Sequence, residues 1–266
     1  MKIYFNHYTG RMTDYDYLFF DCFAEVAEEE EDIALEEGWI PDDYTLPREE
    51  SDSRCPFPWY QARQTRIKIK DFKDDARTRK TRRRCTEVTT QIIDATEVDE
   101  GTLLKIFNKY VSYKNFATWD ILRLIKSNLN RKKFILYSYE NTVVAYTLLR
   151  EAGNSVLSTQ FAWDYEKPQL YLGKYSTLAE VDYCISMGKD ALYIGAGYEN
   201  CCAYKGEYPG FEFWNGRVWS NDRSTYKYLC DRDSSLERLS ELERCKQEDD
   251  KKFFTSSSSW GHYQNS

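Results

Sequence analysis

The sequence contains little histidine, and this scarcity limits the chemistry available to it. The only two histidines, His7 and His262, lie near opposite ends of the chain. His262 belongs to a polar, serine-rich tail that we predict to be disordered. A Ser-His-Asp or Cys-His catalytic set therefore has almost no histidine to use. Any general base must be a carboxylate, a tyrosine, a lysine or the substrate itself.

Metal-binding spacings and long apolar runs are also missing. The eight cysteines show no CxxC, and the adjacent pair Cys201-Cys202 has no histidine nearby, so we predict no metal site. No apolar run approaches the length of a membrane span, and the N-terminus lacks the apolar core of a signal peptide. We therefore expect a cytoplasmic protein with reduced thiols and no membrane contact. We also expect a monomer.

Charge is present but unevenly distributed. The net charge of −7 argues against nonspecific nucleic-acid binding, yet residues 25–43 are strongly acidic and residues 63–84 strongly basic. Local charge determines where a polyanion binds, so the average does not exclude RNA. Aromatic residues make up 16% of the chain, either at half-buried positions or along a groove for a polar ligand.

The N-terminal third contains three predicted features. A broken apolar stripe predicts a helix over 17–37, which Gly38 would cap. Residues 41–58 are rich in proline and acids, which predicts a loop. Residues 65–70 (TRIKIK) alternate, which predicts a strand with its isoleucines on one face and an exposed cationic face opposite.

The remaining elements indicate an α+β fold. Helices are predicted over 99–112, 119–129 (with Thr118 as its cap), 174–187 and 234–247, and strands over 133–139, 142–149, 155–163 and 191–195. Asn215-Gly216 predicts a hairpin with a type I′ turn. The order strand–strand–helix–strand matches the core of acetyltransferase-like (GNAT-like) folds, in which a mixed sheet is flanked by helices. In that fold two parallel strands, here 155–163 and 191–195, diverge and leave a slot for an acyl donor.

The most specific pattern lies in residues 155–214. It begins with Phe161-Ala162-Trp163-Asp164 and continues with Leu170-Tyr171-Leu172-Gly173-Lys174-Tyr175-Ser176-Thr177-Leu178. Tyr193-Ile194-Gly195 follows, then Cys201 and the run Tyr204-Lys205-Gly206-Glu207-Tyr208-Pro209-Gly210-Phe211-Glu212. In order, spacing and residue type these motifs resemble the arginyl- and leucyl-tRNA–protein transferases, whose fold is acetyltransferase-like.

The N-terminal half resembles this family with departures. Arg66-Ile67, Phe72 and the basic run after them resemble a family segment that begins with C-x-x-C, but Trp59 and Ala62 occupy the two cysteine positions. In relatives these cysteines are associated with a metal or cluster, so none is expected here. The loop between Tyr193 and Tyr204 is also shorter than the family pattern. We divide the chain into an N-terminal module (1–85), an acetyltransferase-like catalytic domain (86–220) and a C-terminal helix with a polar tail (221–266).

The resemblance implies transfer of Arg or Leu from a charged tRNA to the N-terminal amine of an acceptor protein, as in N-end rule protein degradation. It also implies acceptors with acidic N-termini, and no cofactor besides the aminoacyl-tRNA co-substrate. An aminoacyl ester is already activated, so the protein mainly has to position the two reactants. The shortage of histidine fits this chemistry.

Site residues follow from the matched motifs. Tyr204, Lys205, Asp164 and Tyr193 are assigned catalytic roles. Lys205 would bind a phosphate or carboxylate, and Asp164 would hold the incoming ammonium group. The alternatives are an exposed lysine and a turn-forming aspartate. The start of the helix offers free N–H groups, and a glycine there lets a ligand approach the backbone. The expected substrate-binding residues are Leu172, Gly173, Tyr175, Ser176, Gly195 and Arg66.

The basic segment is the predicted tRNA-binding surface, continuous with the mouth of the slot near Gly173. Phosphate contacts supply most nonspecific RNA affinity, and nearby Trp59 and Tyr60 could stack on unpaired bases. A solvated basic loop is the alternative. The expected tRNA-binding residues are Arg63, Lys68, Arg77, Arg79, Arg82, Arg83 and Arg84.

Two other functions remain open. An acyl-CoA-dependent N-acetyltransferase normally carries a glycine-rich loop before this helix, and the corresponding stretch 167–173 has one glycine, which counts against it. The other is a catalytically inactive relative that binds tRNA or protein. The absent cysteine pair and the shorter loop favour that alternative.

Overall fold

The computed structural model describes residues 2–12, 15–41, 59–61, 63–114, 121–126, 131–197 and 200–235, together with 241 and 244. The strands are β1 (Lys2–Met12), β2 (Tyr15–Glu25), β3 (Trp39–Pro41), β4 (Trp59–Gln61), β5 (Gln64–Lys68), β6 (Thr89–Asp94), β7 (Lys132–Tyr139), β8 (Thr142–Ala152), β9 (Ser155–Trp163), β10 (Ala191–Ala196), β11 (Phe211–Trp214) and β12 (Trp219–Ser220). The α-helices are α1 (Glu31–Glu36), α2 (Ala76–Arg84), α3 (Glu100–Lys114), α4 (Ile121–Lys126), α5 (Leu172–Ser186) and α6 (Arg223–Asp233).

The strands form two sheets. The smaller has the order β1-β2-β4-β3, and the larger, with eight strands, has the order β12-β11-β5-β10-β9-β8-β7-β6. Every pair in the larger sheet is antiparallel except β9 and β10, which are parallel neighbours as predicted. The α+β prediction is therefore confirmed, with the mixed sheet and parallel pair that an acetyltransferase-like core requires.

Helices cover both faces of the larger sheet because its central strands alternate between two apolar surfaces. On one face α5 buries Leu178, Val181 and Cys184 against strand residues such as Ile135. On the other face α3 and α4 pack against the neighbouring strand positions, for example Phe134. Strand β9, one of the parallel pair, therefore lies between α5 on one face and α3 on the other.

The smaller sheet is joined to the larger one by an apolar cluster and an ion pair. Trp39 and Trp59 pack with Leu157 and other residues of the large sheet. Glu31, at the start of α1, accepts from Arg150 of β8 at 2.7 Å, and both side chains are almost completely buried.

The predicted helix over 17–37 is wrong for most of its length. Residues Tyr15–Glu25 form strand β2, which pairs with β1 along its whole length and with β4 at Phe23 and Ala24. Its run of aromatic residues favours a strand, and pairing on both sides outweighs the weak helical periodicity. Only Glu31–Glu36 is α-helical, and Gly38 follows it with a φ of +79°.

Strand β5 and the final hairpin also differ from their predictions. β5 ends at Lys68, where a short 3-10 helix begins, and its expected cationic face is wrong at Arg66, which is only 2% exposed. β5 lies between β11 and β10, so neighbouring strands cover its edges. The hairpin at Asn215-Gly216 is confirmed, but Trp214 pairs with Trp219, so the turn is longer than type I′.

Near the C-terminus the structure has a helix that the sequence analysis missed, α6, whose N-cap Asp222 accepts from Ser224 N and Thr225 N. Most of the helix predicted over 234–247 lies outside the described residues, as do Thr118 and residues 42–58. The predicted helix over 119–129 is confirmed within the described part, Ile121–Lys126, and the other predicted helices and strands are confirmed. The division into domains remains a prediction, and β5, from the 1–85 segment, lies inside the larger sheet.

Candidate active site at the open end of the parallel strands

The parallel strands separate near their carboxyl ends. β10 pairs with β9 only from Ala191 to Tyr193, opposite Ser155 to Leu157. Beyond that point β9 is bent by a bulge opposite Leu148 and Leu149 of β8. A bulge locally disrupts the ladder and re-aims the strand. The two strands therefore diverge and leave a slot at the end of the sheet where α5 begins.

Helix α5 opens towards this slot with unusual backbone geometry. Tyr171, the residue before the helix, has a φ of +50°, and no side chain caps the helix. Left-handed backbone is uncommon for a non-glycine residue and tends to occur at functional sites. A Cβ added to Gly173 would meet nothing within 4 Å, so the first turn is open to a ligand. The free N–H groups of that turn favour an anion or a polarised carbonyl.

A cavity of about 210 Å³ lies between the start of α5, helix α2 and the 3-10 helix Asn200–Glu207. Four of its side chains are cationic, and one is a carboxylate. The lining residues are Arg77, Thr78, Lys80, Thr81, Arg84, Tyr171, Lys174, Leu178, Tyr204, Glu207 and Tyr208. The cavity thus combines part of the basic segment with residues of the most specific motif.

Specific contacts shape the cavity wall. The guanidinium of Arg84 lies 4.2 Å from the centre of the Tyr171 ring, which holds both side chains at the rim. Glu207 pairs with Lys174 at 3.0 Å and lies 4.0 Å from the largely exposed Arg77. Tyr204 is 39% exposed, and its ring meets that of Tyr208 edge-on. Sequence reasoning missed Tyr171, Lys174 and Glu207, although each is in the matched motifs.

Lys205 lies beside the slot rather than in solvent. Its side chain is 9% exposed, and its ammonium group donates to the carbonyls of Ile194 and Ala196 at 2.6 Å and 2.7 Å. These carbonyls belong to the end of β10 that has left its parallel partner. Between them Gly195 has a φ of +76°, a conformation that glycine adopts without strain. Lys205 therefore braces the divergent strand end.

A buried glutamate that sequence reasoning missed lies under the same slot. Glu180, on the sheet-facing side of α5, is 2% exposed and accepts from Thr147 Oγ1 at 3.0 Å. Burial raises the pKa of Glu180 to about 7, although hydrogen bonds from Thr147 and Ser158 and the charge of Lys205 partly oppose the shift. A glutamate between Leu178 and Val181 in an apolar helical stripe is the sequence signal that would have found it.

Other predicted site residues have firm partners. Asp164 accepts from Lys109 at 2.8 Å. Burial raises the pKa of Asp164, but the Lys109 bond, a backbone bond from Glu166 and the charges of Lys109 and Lys105 together hold it below its ordinary value. Tyr193 is 1% exposed, on the sheet face opposite α5. Arg66 pairs with Glu212 and Glu36 and lies against Trp219.

The remaining substrate-binding candidates lie along the first turn of α5. Leu172 is buried, and the buried Ser176 directs its hydroxyl to the Gly173 carbonyl at 3.5 Å. Tyr175 is half-buried, with its ring edge-on to Tyr137. The structure thus brings together Gly173, Tyr204, Lys205 and Gly195 with the first turn of α5, and it leaves Arg66 and Tyr193 behind the sheet.

The basic segment separates into paired and accessible cations. Arg63 forms an ion pair with Asp233 at 2.6 Å, and Arg82 binds both carboxylate oxygens of Asp182. Arg79 donates to the Asp74 carbonyl, Lys68 is half-buried and Arg83 is exposed. Only Arg77 and Arg84 among the seven predicted tRNA-binding residues line the cavity, together with Lys80.

Trp59, a predicted base-stacking residue, is 3% exposed within the apolar cluster beneath the smaller sheet, and Tyr60 is half-buried. Within the described ranges, no group of three or more His, Cys, Asp or Glu side chains is placed to bind a metal ion. None of the helices in those ranges combines the length and apolar character that a membrane crossing requires.

Comparison with solved structures gives only weak similarity. The C-terminal domain of a lysylphosphatidylglycerol synthetase from Agrobacterium fabrum is 7% identical with a TM-score of 0.43, over 51% of this chain and 47% of that one. L-PGS from Bacillus licheniformis is 9% identical with a TM-score of 0.40, over 63% and 49%. FemX is 11% identical with a TM-score of 0.43, over 61% and 58%. The present chain thus spans about half the length of these proteins.

Sequence comparison is more specific. No curated protein sequence matches the chain. Residues 90–215, however, match the family described as "Arginine-tRNA-protein transferase, C terminus". This range contains α5, the divergent ends of β9 and β10, and the 3-10 helix with Tyr204 and Lys205. Residues 90–215 of the chain are therefore similar to the C-terminal part of the arginine-tRNA-protein transferases.

Proposed function

We propose that the protein is an aminoacyl-tRNA–protein transferase that moves Arg or Leu from a charged tRNA to the N-terminal amine of an acceptor protein. One observation carries the proposal. The matched motif residues around Gly173 and Tyr204 line a single cavity with Arg77, Lys80 and Arg84 of the basic helix. The family match over residues 90–215 supports the same activity.

The cavity suits the acceptor end of a charged tRNA. Four cationic side chains and one carboxylate line the cavity. The first turn of α5 adds the partial positive charge of a helix N-terminus. Phosphates of the terminal nucleotides would bind the cations, while the aminoacyl ester reaches the slot beside Gly173. Holding the ester and the amine together is the main catalytic contribution that such a reaction needs.

The carbonyl under attack acquires negative charge, which two groups can stabilise. Lys205 Nζ donates two of its three N–H groups to strand carbonyls, and its positive charge lies beside the slot. Tyr204, partly exposed in the cavity wall, offers a hydroxyl to the same oxygen. Preorganised donors of this kind commonly contribute most of the electrostatic stabilisation of a tetrahedral intermediate.

The attacking amine must lose a proton, and Glu180 is the better acceptor for it. As the amide bond forms, the ester C–O bond breaks, and protonated Glu180 can return the proton to the ribose oxygen that leaves with the tRNA. A carboxylate with a pKa near 7 accepts a proton efficiently at neutral pH, and that of Glu180 is raised to about 7. Asp164 has a lowered pKa and is held by Lys109, so we assign it to positioning the strand end rather than to proton transfer.

Acceptors with an acidic N-terminus are part of the proposal. Arg66 is buried between Glu36 and Glu212, so it does not pair with an acceptor carboxylate, and Lys205 is assigned to the reacting carbonyl. The cationic wall formed by Lys80 and Lys174 would attract it instead. We further propose a monomeric cytoplasmic protein of the N-end rule degradation route that needs no cofactor besides the charged tRNA.

A transfer assay tests the proposed function. Purified protein is incubated with a mixture of charged tRNAs and with peptides that begin with Asp, Glu or Ala, and the peptides are analysed by mass spectrometry. We expect the mass of Arg or Leu to be added, most efficiently to the Asp and Glu peptides. Acetyl-CoA replaces the charged tRNA in a parallel reaction.

The assay separates the competing functions. Added mass with charged tRNA supports the proposal, whereas an acetyl group added from acetyl-CoA alone would identify an N-acetyltransferase. If the protein binds charged tRNA but no peptide gains mass, it is a binding protein without transferase activity. If peptides that begin with Ala react as fast as those that begin with Asp, only the predicted preference for acidic N-termini is wrong.

A further inference from the structure

Beyond the cavity, a stack of aromatic rings extends from the end of β9. Trp163 is 7% exposed, and its ring centre lies 4.1 Å from that of Tyr165. Tyr113, in the last turn of α3, stacks on Tyr165 with ring centres 3.8 Å apart and an angle of 11° between the planes. Tyr113 is 65% exposed, so a large planar surface at the outer end of the stack faces solvent.

The stack lies at the same end of the sheet as the cavity. Tyr165 belongs to the segment that joins β9 to the first turn of α5. Tyr110, one helical turn before Tyr113, lies 5.9 Å from Tyr165 ring to ring. Burial raises the pKa of Tyr110, and the nearby Tyr165 and Cys201 add to the shift. Cys201 is in the 3-10 helix that carries Tyr204 into the cavity wall.

A lysine side chain lies beside the aromatic stack. Lys114 Nζ lies 5.3 Å from the centre of the Tyr165 ring, within cation–π range. Lys109, on the same helix, is occupied by Asp164 and Glu166 at 2.8 Å and 3.0 Å, so Lys114 supplies the cation for this surface. A flat aromatic surface beside a lysine matches the two parts of a nucleotide, the base and its phosphate.

We propose that Tyr113 is a stacking platform for an unpaired base at the 3′ end of the charged tRNA. The inference rests on the proposed function, because it assumes that this end of the sheet receives the acceptor end. A base on the exposed face of Tyr113 continues the stack formed by Trp163, Tyr165 and Tyr113. Lys114 binds the phosphate next to that base. Stacking is tolerant of sequence, which suits a protein that must use the single-stranded end common to many tRNAs.

The platform replaces the stacking pair expected from sequence. Trp59 is buried under the smaller sheet, with Arg150 5.6 Å from its ring, and has no free face for a base. Tyr113, in contrast, is exposed, and the ring of Tyr165 supports it from behind.

A binding experiment with two RNA minihelices tests the platform. One carries the unpaired 3′ nucleotides of a tRNA, and the other has the same duplex with a blunt end. Fluorescence anisotropy gives the Kd of each with the wild-type protein, Tyr113→Ala and Tyr113→Phe. Loss of one base–aromatic stack corresponds to roughly 5- to 100-fold in Kd. We therefore expect Tyr113→Ala to weaken the minihelix with the overhang by that factor and to leave the blunt one unchanged.

The phenylalanine variant is the matched control because it keeps the ring and removes only the hydroxyl. It should bind both RNAs within about twofold of wild type, since stacking uses the ring face. Tyr113→Ala with unchanged affinity for the overhang, or with an equal loss for both RNAs, would overturn the platform. So would an unchanged RNA affinity combined with a raised KM for the acceptor peptide, which would make the stack a peptide site.

This result can be distinguished from failure of the proposed function. If wild-type protein transfers amino acids while Tyr113→Ala keeps a wild-type KM for charged tRNA, the platform fails and the transferase stands. If Tyr113→Ala loses overhang binding but wild-type protein transfers nothing, the platform stands and the transferase fails. Circular dichroism and thermal unfolding of each variant confirm that the exposed substitution leaves the fold intact.

Discussion

Lys205 donates a hydrogen bond from its ammonium group to the backbone carbonyl of Ile194 at 2.6 Å, and a second bond reaches Ala196 at 2.7 Å. The ladder between β10 and β5 is irregular over this stretch, because the register shifts between Tyr193 and Ala196. A side chain from the next structural element thus supplies the polar partner for backbone groups where the parallel strands separate. This contact ties the separated end of β10 to the 3-10 helix that carries Lys205.

Removing the ammonium group should destabilise the protein. In Lys205→Met, the carbonyls of the half-buried Ile194 and Ala196 lose this donor. An unsatisfied buried acceptor costs about 1–3 kcal/mol, so we expect the free energy of unfolding to fall by about 2 kcal/mol or more. Denaturation with urea measures it. Lys189→Met is the control, because Lys189 bonds the Gly153 carbonyl at an exposed position. Equal stability of the two variants would show that the brace at Lys205 is unimportant.

Glu180 should make stability depend on pH with a defined sign. Burial raises its pKa from 4.5 to about 7, so the folded protein favours the protonated form. The resulting stabilisation is complete below the unfolded pKa and is lost as pH rises through about 7. Each unit of pKa difference corresponds to about 1.4 kcal/mol, which gives a loss of about 3 kcal/mol over this range. Glu180→Gln should lack this loss, and urea denaturation between acidic and mildly basic pH tests it. If the free energy of unfolding changes with pH in the same way in wild type and in Glu180→Gln, the pKa of Glu180 is not raised.

The same residue should control how turnover depends on pH. If the Glu180 carboxylate accepts the proton of the acceptor amine, wild-type kcat should rise with pH through an apparent pKa near 7. Glu180→Gln should lower kcat by about 100-fold and remove that step, leaving only the ionisation of the amine itself. Asp164→Asn provides the comparison and should keep the step. A wild-type profile in Glu180→Gln would exclude Glu180 from proton transfer.

Much of the central sheet could be predicted because its signals are local. The turn between β7 and β8 is formed by Glu140 and Asn141, both with positive φ, and apolar alternation marks the strands on either side. The start of α5 and the end of β10 were likewise found from contiguous motifs. These elements are specified by residues that are neighbours in sequence.

The rest depends on partners that are distant in sequence. Arg66 was expected on an exposed face, but it is neutralised by Glu36 and Glu212, which are 30 and 146 positions away. Glu180 interrupts an apolar helical stripe, but its role depends on Thr147 and Ser158, which meet it across the sheet. Such pairings are properties of the assembled fold, which a single sequence does not display.

Gly173 should be dispensable for folding and important for the ligand. A Cβ at this position meets nothing within 4 Å, and alanine favours helix over glycine by about 1 kcal/mol. We therefore expect Gly173→Ala to be at least as stable as wild type but to raise the KM for charged tRNA, because the methyl group occupies the approach to the helix N-terminus. Gly188→Ala, beyond the other end of α5, has φ +63° and should lose stability without a change in KM. An unchanged KM in Gly173→Ala would mean that the ligand does not approach there.

The accessible part of the basic helix should determine the salt dependence of tRNA binding. Arg77 is largely exposed, lines the cavity and lies 4.0 Å from Glu207, so it can turn to a phosphate at little cost. A cation that neutralises one phosphate contributes about 0.7–0.9 to the slope of log K against log salt, and Arg77→Ala should reduce the slope by about that amount.

Neighbouring positions provide the controls for Arg77. Arg82, one turn further along α2, is occupied by Asp182 and Asp74, so Arg82→Ala should lower stability and leave the slope close to wild type. Lys189→Ala removes the same charge beyond the C-terminal end of α5 and should change neither slope nor affinity at moderate salt. Kd values across a salt series give all three slopes. If Arg77→Ala and Lys189→Ala behave alike, the cavity mouth makes no phosphate contact through Arg77, and any tRNA binding would depend on other cations.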